Sequence, residues 1–146
     1  MSSVVVGADL RDPPLGPAIA EGAAGTIHSV IGNPGLLAKI YKVTNNLKEY
    51  EEKIGAMLAS PPNLPPFSNQ GRTYVQIAWP EARVIRRGKF VGFIMKEVDF
   101  QASTTLSNML QKTTRKFNGL PEYYGARLHI ALNLALLMVE LHKLNH

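Results

Sequence analysis

The chain has 146 residues, 45% of them hydrophobic and 18% charged, with a net charge of +5; this composition excludes a disordered chain and allows one domain with a core of its own. It contains no cysteine, which excludes a disulfide framework and a thiolate zinc site and is compatible with a cytoplasmic setting. The positive balance suits an anionic ligand, but spread over this length it reads first as a solvated basic surface.

Residues 1–14 close on Arg11-Asp12-Pro13-Pro14 and read as a leader. Met1-Ser2-Ser3-Val4-Val5-Val6 lacks the basic start and the long apolar run of a signal peptide. Residues 15–42 alternate apolar and small side chains and carry the β-branched Ile19, Thr26, Ile27, Val30 and Ile31. They predict three strands, joined by a glycine turn and by Asn33-Pro34-Gly35. Residues 45–59 change to helical spacing, with Leu47, Tyr50, Ile54, Met57 and Leu58 on one stripe. Asn46 is placed to cap that helix, with Glu49 in capping-box register, and Pro61-Pro62 ends it.

Residues 60–71 are rich in Pro, Asn and Ser and predict a loop. Residues 74–79 and 82–87 read as extended. Arg87-Gly88-Lys89 turns the chain into the strand Phe90–Met95. A short helix follows at 103–112, then a basic loop at 113–121. The longest helix covers 122–144. It is apolar nearly all round (Leu128, Ile130, Leu132, Leu134, Leu136, Leu137, Met138, Leu141), which predicts burial on most faces. Its longest apolar run, Ala131 to Val139, is broken by Asn133 and is far shorter than the roughly 20 residues of a membrane span. The order of elements predicts an α+β fold: a five-stranded antiparallel sheet with one helix against it, then a helical portion.

Two features carry chemistry. The segment I-A-E-G-A-A-G-T-I, Ile19 to Ile27, is a glycine-rich turn between strands, and Lys39 sits in the apolar run L-L-A-K-I-Y that follows. Backbone N–H groups of such a turn can lie over phosphates while the ammonium meets them from the other side, because a residue without Cβ admits close backbone approach. No Gly-Lys-Ser/Thr follows the turn, so it is not a Walker loop, and no helix follows it, so it is not a dinucleotide fingerprint. Taken alone, the turn is also compatible with an ordinary hairpin. A lysine within an apolar strand needs a counter-charge or a path to water. Lys42 lies on the other face of an ideal strand. His28, His129, His142 and His146 are dispersed without metal-ligand spacing.

These residues resemble the opening of bacterial protein-kinase-like domains over residues 15–146. The pattern G-x-G-x-x-G-x-V falls on Ala20, Gly22, Gly25 and Ile27, with alanine replacing the first glycine, and V-A-I-K falls on the strand of Lys39. The resemblance implies a small lobe and hinge at 15–99 and the start of a helical large lobe at 100–146. ATP would lie under Gly22, Ala23, Ala24 and Gly25, with Lys39 on its α/β-phosphates and a helix carboxylate bracing the lysine. Glu51 borders the apolar stripe and is the first choice for that brace, with Glu52 second. Ile19, Ile27 and Ala38 would wall the adenine, Met95 would close the back of the pocket, and the Lys96 carbonyl and Val98 N–H would face the base. Mg2+ and the catalytic base would come from residues beyond His146. The implied function is the ATP-binding portion of a serine/threonine-type protein kinase transferring a phosphoryl group to a protein hydroxyl. A non-catalytic kinase-like binding module is the alternative. A nucleic-acid surface built from Arg83, Arg86, Arg87, Lys89, Lys112, Arg115 and Lys116 is disfavoured, because aromatic interleaving is poor and no reading helix is present.

Overall fold

The computed structural model describes residues 8–43, 46–99 and 101–144. Residues 1–7 of the leader, the expected helix start at Asn45, and His146 lie outside these. The chain divides into two units, Met1–Pro61 with Pro66–Glu97, and Pro62–Pro65 with Val98–His146. The change of unit falls between Glu97 and Val98, slightly before the boundary expected at 99.

The first unit contains β1 (Leu10–Arg11), β2 (Leu15–Glu21), β3 (Gly25–Val30), β4 (Leu36–Tyr41), α1 (Leu47–Ala59), β5 (Phe67–Asn69), β6 (Arg72–Tyr74), β7 (Pro80–Arg86) and β8 (Lys89–Lys96). β2, β3 and β4 occupy the three runs that alternation predicts. β7 and β8 meet at a two-residue turn, where Arg87 (φ 49°) and Gly88 (φ 74°) both take the left-handed conformation between the pair Arg86 and Lys89. Such a turn follows the natural twist of a hairpin.

The large sheet runs in the order β1-β7-β8-β4-β3-β2. Its five strands from β7 to β2 are antiparallel, as expected. The sixth, β1, is parallel to β7 with Leu10 opposite Val84 and Arg11 opposite Ile85. The sheet is therefore mixed and six-stranded, and part of the expected leader belongs to it. The expected loop at 60–71 also holds structure, since β5 and β6 form a separate hairpin turned by Gln70 and Gly71, while most of 74–79 is not strand.

The sheet is curled. A flat sheet of six strands spans about 24 Å from edge to edge. Yet Arg11 on one edge and Leu15 on the other are joined by Asp12-Pro13-Pro14 alone, a reach of about 14 Å. The Ile31 N–H donates to the Pro14 carbonyl at 2.9 Å, tying that link to the end of β3. Leu10 and Leu15, from opposite edges, pack on one cluster made of Val30, Ala38, Ala82, Val84 and Ile94. The last four are 0% exposed and form the inside of the curl. The outer face carries a second cluster, Tyr41, Ile54, Ile85, Phe90 and Phe93, with Leu47, Tyr50, Met57 and Leu58 of α1 against it.

α1 presents the predicted stripe to that face. The Asn46 side chain accepts from the Glu49 N–H at 3.5 Å. Glu49 does not complete a capping box, because its carboxylate accepts from Lys53 Nζ at 2.6 Å, one turn on. Tyr41 and Tyr50 stack with ring centroids 4.2 Å apart, and Trp79 Nε1 donates to the Met57 carbonyl at 3.1 Å.

The second unit holds α2 (Leu106–Leu110), α3 (Lys112–Phe117) and α4 (Tyr124–His142). The short helix is shorter than its prediction, and the expected basic loop contains α3. The reason is Arg115. It is 6% exposed, and its Nη1 donates to the Met109 and Leu110 carbonyls at 2.8 and 2.7 Å. A basic side chain thus caps the end of α2 instead of facing solvent. α4 lies within the predicted 122–144 and is two residues shorter at each end, but none of its residues is buried, and Leu128, Leu132, Leu134, Leu136, Met138 and Val139 are exposed. Apolarity around the whole helix states what would be favourable to bury, and no layer in this unit covers those positions.

Candidate functional site

Strand register assembles the site. Ala20 lies opposite Ile27, Ile27 opposite Lys39, Lys39 opposite Phe93 and Phe93 opposite Arg83. Directly paired residues share a face, so Ala20, Ile27, Lys39, Phe93 and Arg83 form one row across five strands. Phe93 places the row on the outer face, where α1 lies against β7 and β8. The helix thus covers the Phe93–Arg83 end. Ala20 at the other end is exposed, and Ile27 and Lys39 are half-buried. Three residues singled out from the sequence are therefore neighbours on one shelf.

Lys39 makes no salt bridge among the described residues. Its Nζ lies 5.8 Å from the centre of the Tyr41 ring, two positions along the same strand. Burial pushes the Tyr41 phenol up to about 12, with the neighbouring Tyr50 adding to the shift, so Tyr41 is neutral there and offers the ammonium its ring face. Lys42 is engaged elsewhere, 2.9 Å from Glu21. That hydrogen bond and charge hold the Glu21 carboxyl below its usual range.

The glycine turn closes the β2–β3 hairpin beside this shelf. The Gly22 N–H donates to the Gly25 carbonyl at 2.9 Å, and the Lys42 N–H donates to the Ala24 carbonyl at 3.1 Å. The loop is thus fastened to the end of β4, with Ala23 exposed at its tip. Gly25 is buried, and a Cβ there would collide with the Ile40 carbonyl oxygen. Its missing side chain is required by strand packing, whatever the loop binds.

Other expected positions fall differently. Ala38 is fully buried in the inner cluster, on the face opposite Lys39, and cannot wall a site that Lys39 serves. The two-residue period of a strand gives that place to Leu37, a residue the sequence reading passed over. Ile19 is exposed and sits at the irregularity between Ala18 and Ala20. Met95 is half-buried against the outer cluster. Lys96 ends β8, 3.5 Å from Glu81, and the neighbouring Glu97 N–H donates to the Gly35 carbonyl at 2.9 Å. Val98 begins the second unit.

Glu51 does lie on α1 toward the row, but the ion pair it makes is with Arg83, Nη1 to Oε1 at 3.6 Å, and not with Lys39. The same guanidinium is held more tightly by Asp9, Nε to Oδ1 at 2.8 Å and Nη2 to Oδ2 at 3.2 Å. Asp9 carried no role in the sequence reading, and Arg83 entered it only as part of the disfavoured nucleic-acid surface. A lone aspartate in a leader and an arginine in an extended run give no local sign of each other. Glu52 is exposed.

Among the described residues no group of three or more His, Cys, Asp or Glu side chains is placed to hold a metal. The second unit has an open apolar cavity of about 530 Å3, lined by Leu106, Met109, Leu120, Tyr123, His129 and Ile130 among others. It contains none of the residues to which the sequence points. Compared with protein-family models, curated proteins and solved structures, the chain gives no match in any of the three.

Proposed function

We propose that the first unit binds the triphosphate of ATP on the shelf Ala20–Ile27–Lys39 and serves as the nucleotide-binding lobe of a protein-kinase-like domain of the serine/threonine type. The observation that carries this reading is the position of Lys39. A half-buried ammonium, without a carboxylate partner among the described residues, stands beside a glycine loop and next to a helix that carries acidic side chains. A polyphosphate is the ligand that such an unpaired cation favours. Lys39 would neutralise phosphate charge, Gly22 and Ala23 would let the chain lie close above it, and Glu51 would orient the ammonium. Met95 and the backbone near Lys96 keep the base-facing roles that the resemblance gives them, and a cytoplasmic setting goes with this reading. Phosphoryl transfer to a protein hydroxyl is the activity such a lobe serves, with ATP and protein as partners. Among the described residues no group of acidic or histidine side chains fits a magnesium site.

A second reading, a non-catalytic kinase-like binding module, is favoured by one observation: Glu51 is engaged with Arg83.

Thermal unfolding of the 146-residue chain with increasing ATP tests the proposal. Concentration-dependent stabilisation is expected, on the order of 2.7 kcal/mol at one hundred times Kd, and it should be largely lost in Lys39→Met. An unchanged unfolding temperature at millimolar ATP would sink the reading. Stabilisation by ATP without phosphoryl transfer to a protein hydroxyl would select the second one.

A further inference from the structure

Tyr41 stands where three parts of the candidate site meet. It lies directly opposite Gly25, the last glycine of the turn, and Ala24 of that turn packs on the same outer cluster as Tyr41. Its ring stacks on Tyr50 of α1, with centroids 4.2 Å apart and planes 19° from parallel. Phe90 and Phe93 of β8 meet the ring at tilted angles, with centroids 6.0 and 6.1 Å away. The Lys39 ammonium lies over the same ring at 5.8 Å, within the roughly 6 Å over which a ring face attracts a cation. Glu51 is paired with Arg83, so among the described residues the contact that holds Lys39 is aromatic. Tyr41 is 8% exposed, and water competes little with the ring for the ammonium on that side.

We infer that Tyr50 and Tyr41 are positioning residues that couple α1 to Lys39: Tyr50 fixes the plane of the Tyr41 ring, and that ring holds the ammonium beside the glycine turn. A tyrosine ring turns about its side-chain bonds unless its neighbours prevent it. Phe90 and Phe93 meet Tyr41 obliquely, and Tyr50 is the flat neighbour that sets its plane. Without the Tyr50 ring, Tyr41 can tip into the space left on α1, and its face turns away from Lys39. The placement of α1 thus reaches the lysine through two rings, with no carboxylate between them. An ammonium already held beside the glycine turn has less freedom to lose when a triphosphate arrives. The inference deepens the nucleotide reading of the Ala20–Ile27–Lys39 shelf and rests on it for the effect on ATP, whereas the coupling itself is read without nucleotide.

The field of an aromatic ring moves protons above its face upfield, so NMR of the 146-residue chain with isotopically labelled lysine reads the contact directly. Lys39→Met identifies the Lys39 signal by its loss. In the parent that signal should lie upfield of the other lysines. It should stay there in Tyr50→Phe and lose most of the displacement in Tyr50→Leu. Leu58→Ala removes another contact of α1 with the outer cluster but leaves the stack intact, and it should keep the displacement. A role in packing alone predicts that Tyr50→Leu and Leu58→Ala behave alike. No upfield displacement in the parent, an unchanged signal in Tyr50→Leu, its loss in Tyr50→Phe, or equal loss in Leu58→Ala overturns the inference. ATP titration of the same proteins separates the two ideas. Kd should rise about twofold to fivefold in Tyr50→Leu, the scale of one cation–π contact, and stay at the parent value in Tyr50→Phe. The expected NMR pattern without ATP stabilisation of the parent removes the nucleotide reading alone. ATP binding with any overturning pattern, or with the same Kd in Tyr50→Leu as in the parent, removes the role of Tyr50 and Tyr41 alone.

Discussion

Gly92 of β8 lies so close to Lys39 of β4 that a Cβ on the glycine would collide with the Lys39 carbonyl oxygen. Gly25 approaches the next carbonyl, that of Ile40, from the other side of β4. The central strand is thus clasped by two residues without side chains, and the close approach lets neighbouring strands follow the curl. Gly92→Ala should cost about 2 kcal/mol, the scale of overpacking in a filled core. Gly55 in α1 has open space where its Cβ would lie, so Gly55→Ala should stabilise by about 0.5 to 1 kcal/mol through helix propensity. Urea unfolding of the two variants beside the parent checks both signs.

Tyr41 gives the first unit a defined response to alkali. Its phenol is buried against Tyr50 and raised to about 12 from the ordinary 10. The folded state therefore keeps the proton that the unfolded chain releases. The stability this represents is complete below pH 10 and is lost as pH rises from 10 toward 12. Two pH units correspond to roughly 2 to 3 kcal/mol. In Tyr41→Phe the fall in unfolding free energy between pH 9.5 and 11.5 should be shallower by an amount of that order. Equal slopes for parent and variant would contradict the assignment.

Arg115 holds α2 to α3 through the carbonyls of Met109 and Leu110. Removing it strands two carbonyl groups, at a cost of about 2 kcal/mol. The Arg115, Asn118 and Leu120 amides bond to the carbonyls of Gln111, Thr114 and Arg115. In Arg115→Ala their hydrogen exchange should accelerate at least about tenfold, with the β4 and β8 amides unaffected.

α4 leaves Leu128, Leu132, Leu136 and Val139 exposed at spacings that set them along one side of the helix. An apolar surface of this kind promotes association. Light scattering of the chain should rise with concentration, and Leu132→Glu should lower it while leaving helix content unchanged, since Leu132 is 55% exposed. Among the described residues, α4 is also the one helix long and apolar enough to cross a membrane by length and composition. Arg127 and Glu140 lie toward its two ends, with residues 128–139 between them.

Local signals carried most of the first unit. Alternation and turn residues located β2, β3, β4, β7 and β8, and the stripe with Asn46 located α1, because each depends on neighbours a few positions away. β1 was not visible. Leu10 and Arg11 are a strand only because Val84 and Ile85 accept them, and no periodicity can appear in two residues. The hairpin at Gln70-Gly71 was hidden in a Pro-rich stretch. Within the site, Lys39 and Ile27 were legible from the strand pattern. Strict use of the two-residue period would also have exchanged Ala38 for Leu37. The grouping of Arg83 with Glu51 and Asp9 was beyond reach, since it depends on how α1 and β1 pack on β7 and on an aspartate 74 positions from the arginine.

The parallel pairing of Leu10–Arg11 with Val84–Ile85 also sets an order of events during synthesis. The first strand leaves the ribosome 74 residues before its partner, an interval of roughly 4 to 15 s at ordinary elongation rates. During that interval β2, β3 and β4 can pair with one another, but the curl cannot close. β1, made well before its partner, is therefore among the last strands of this sheet to be placed, and its apolar Leu10 stays exposed to chaperones and proteases until β7 arrives.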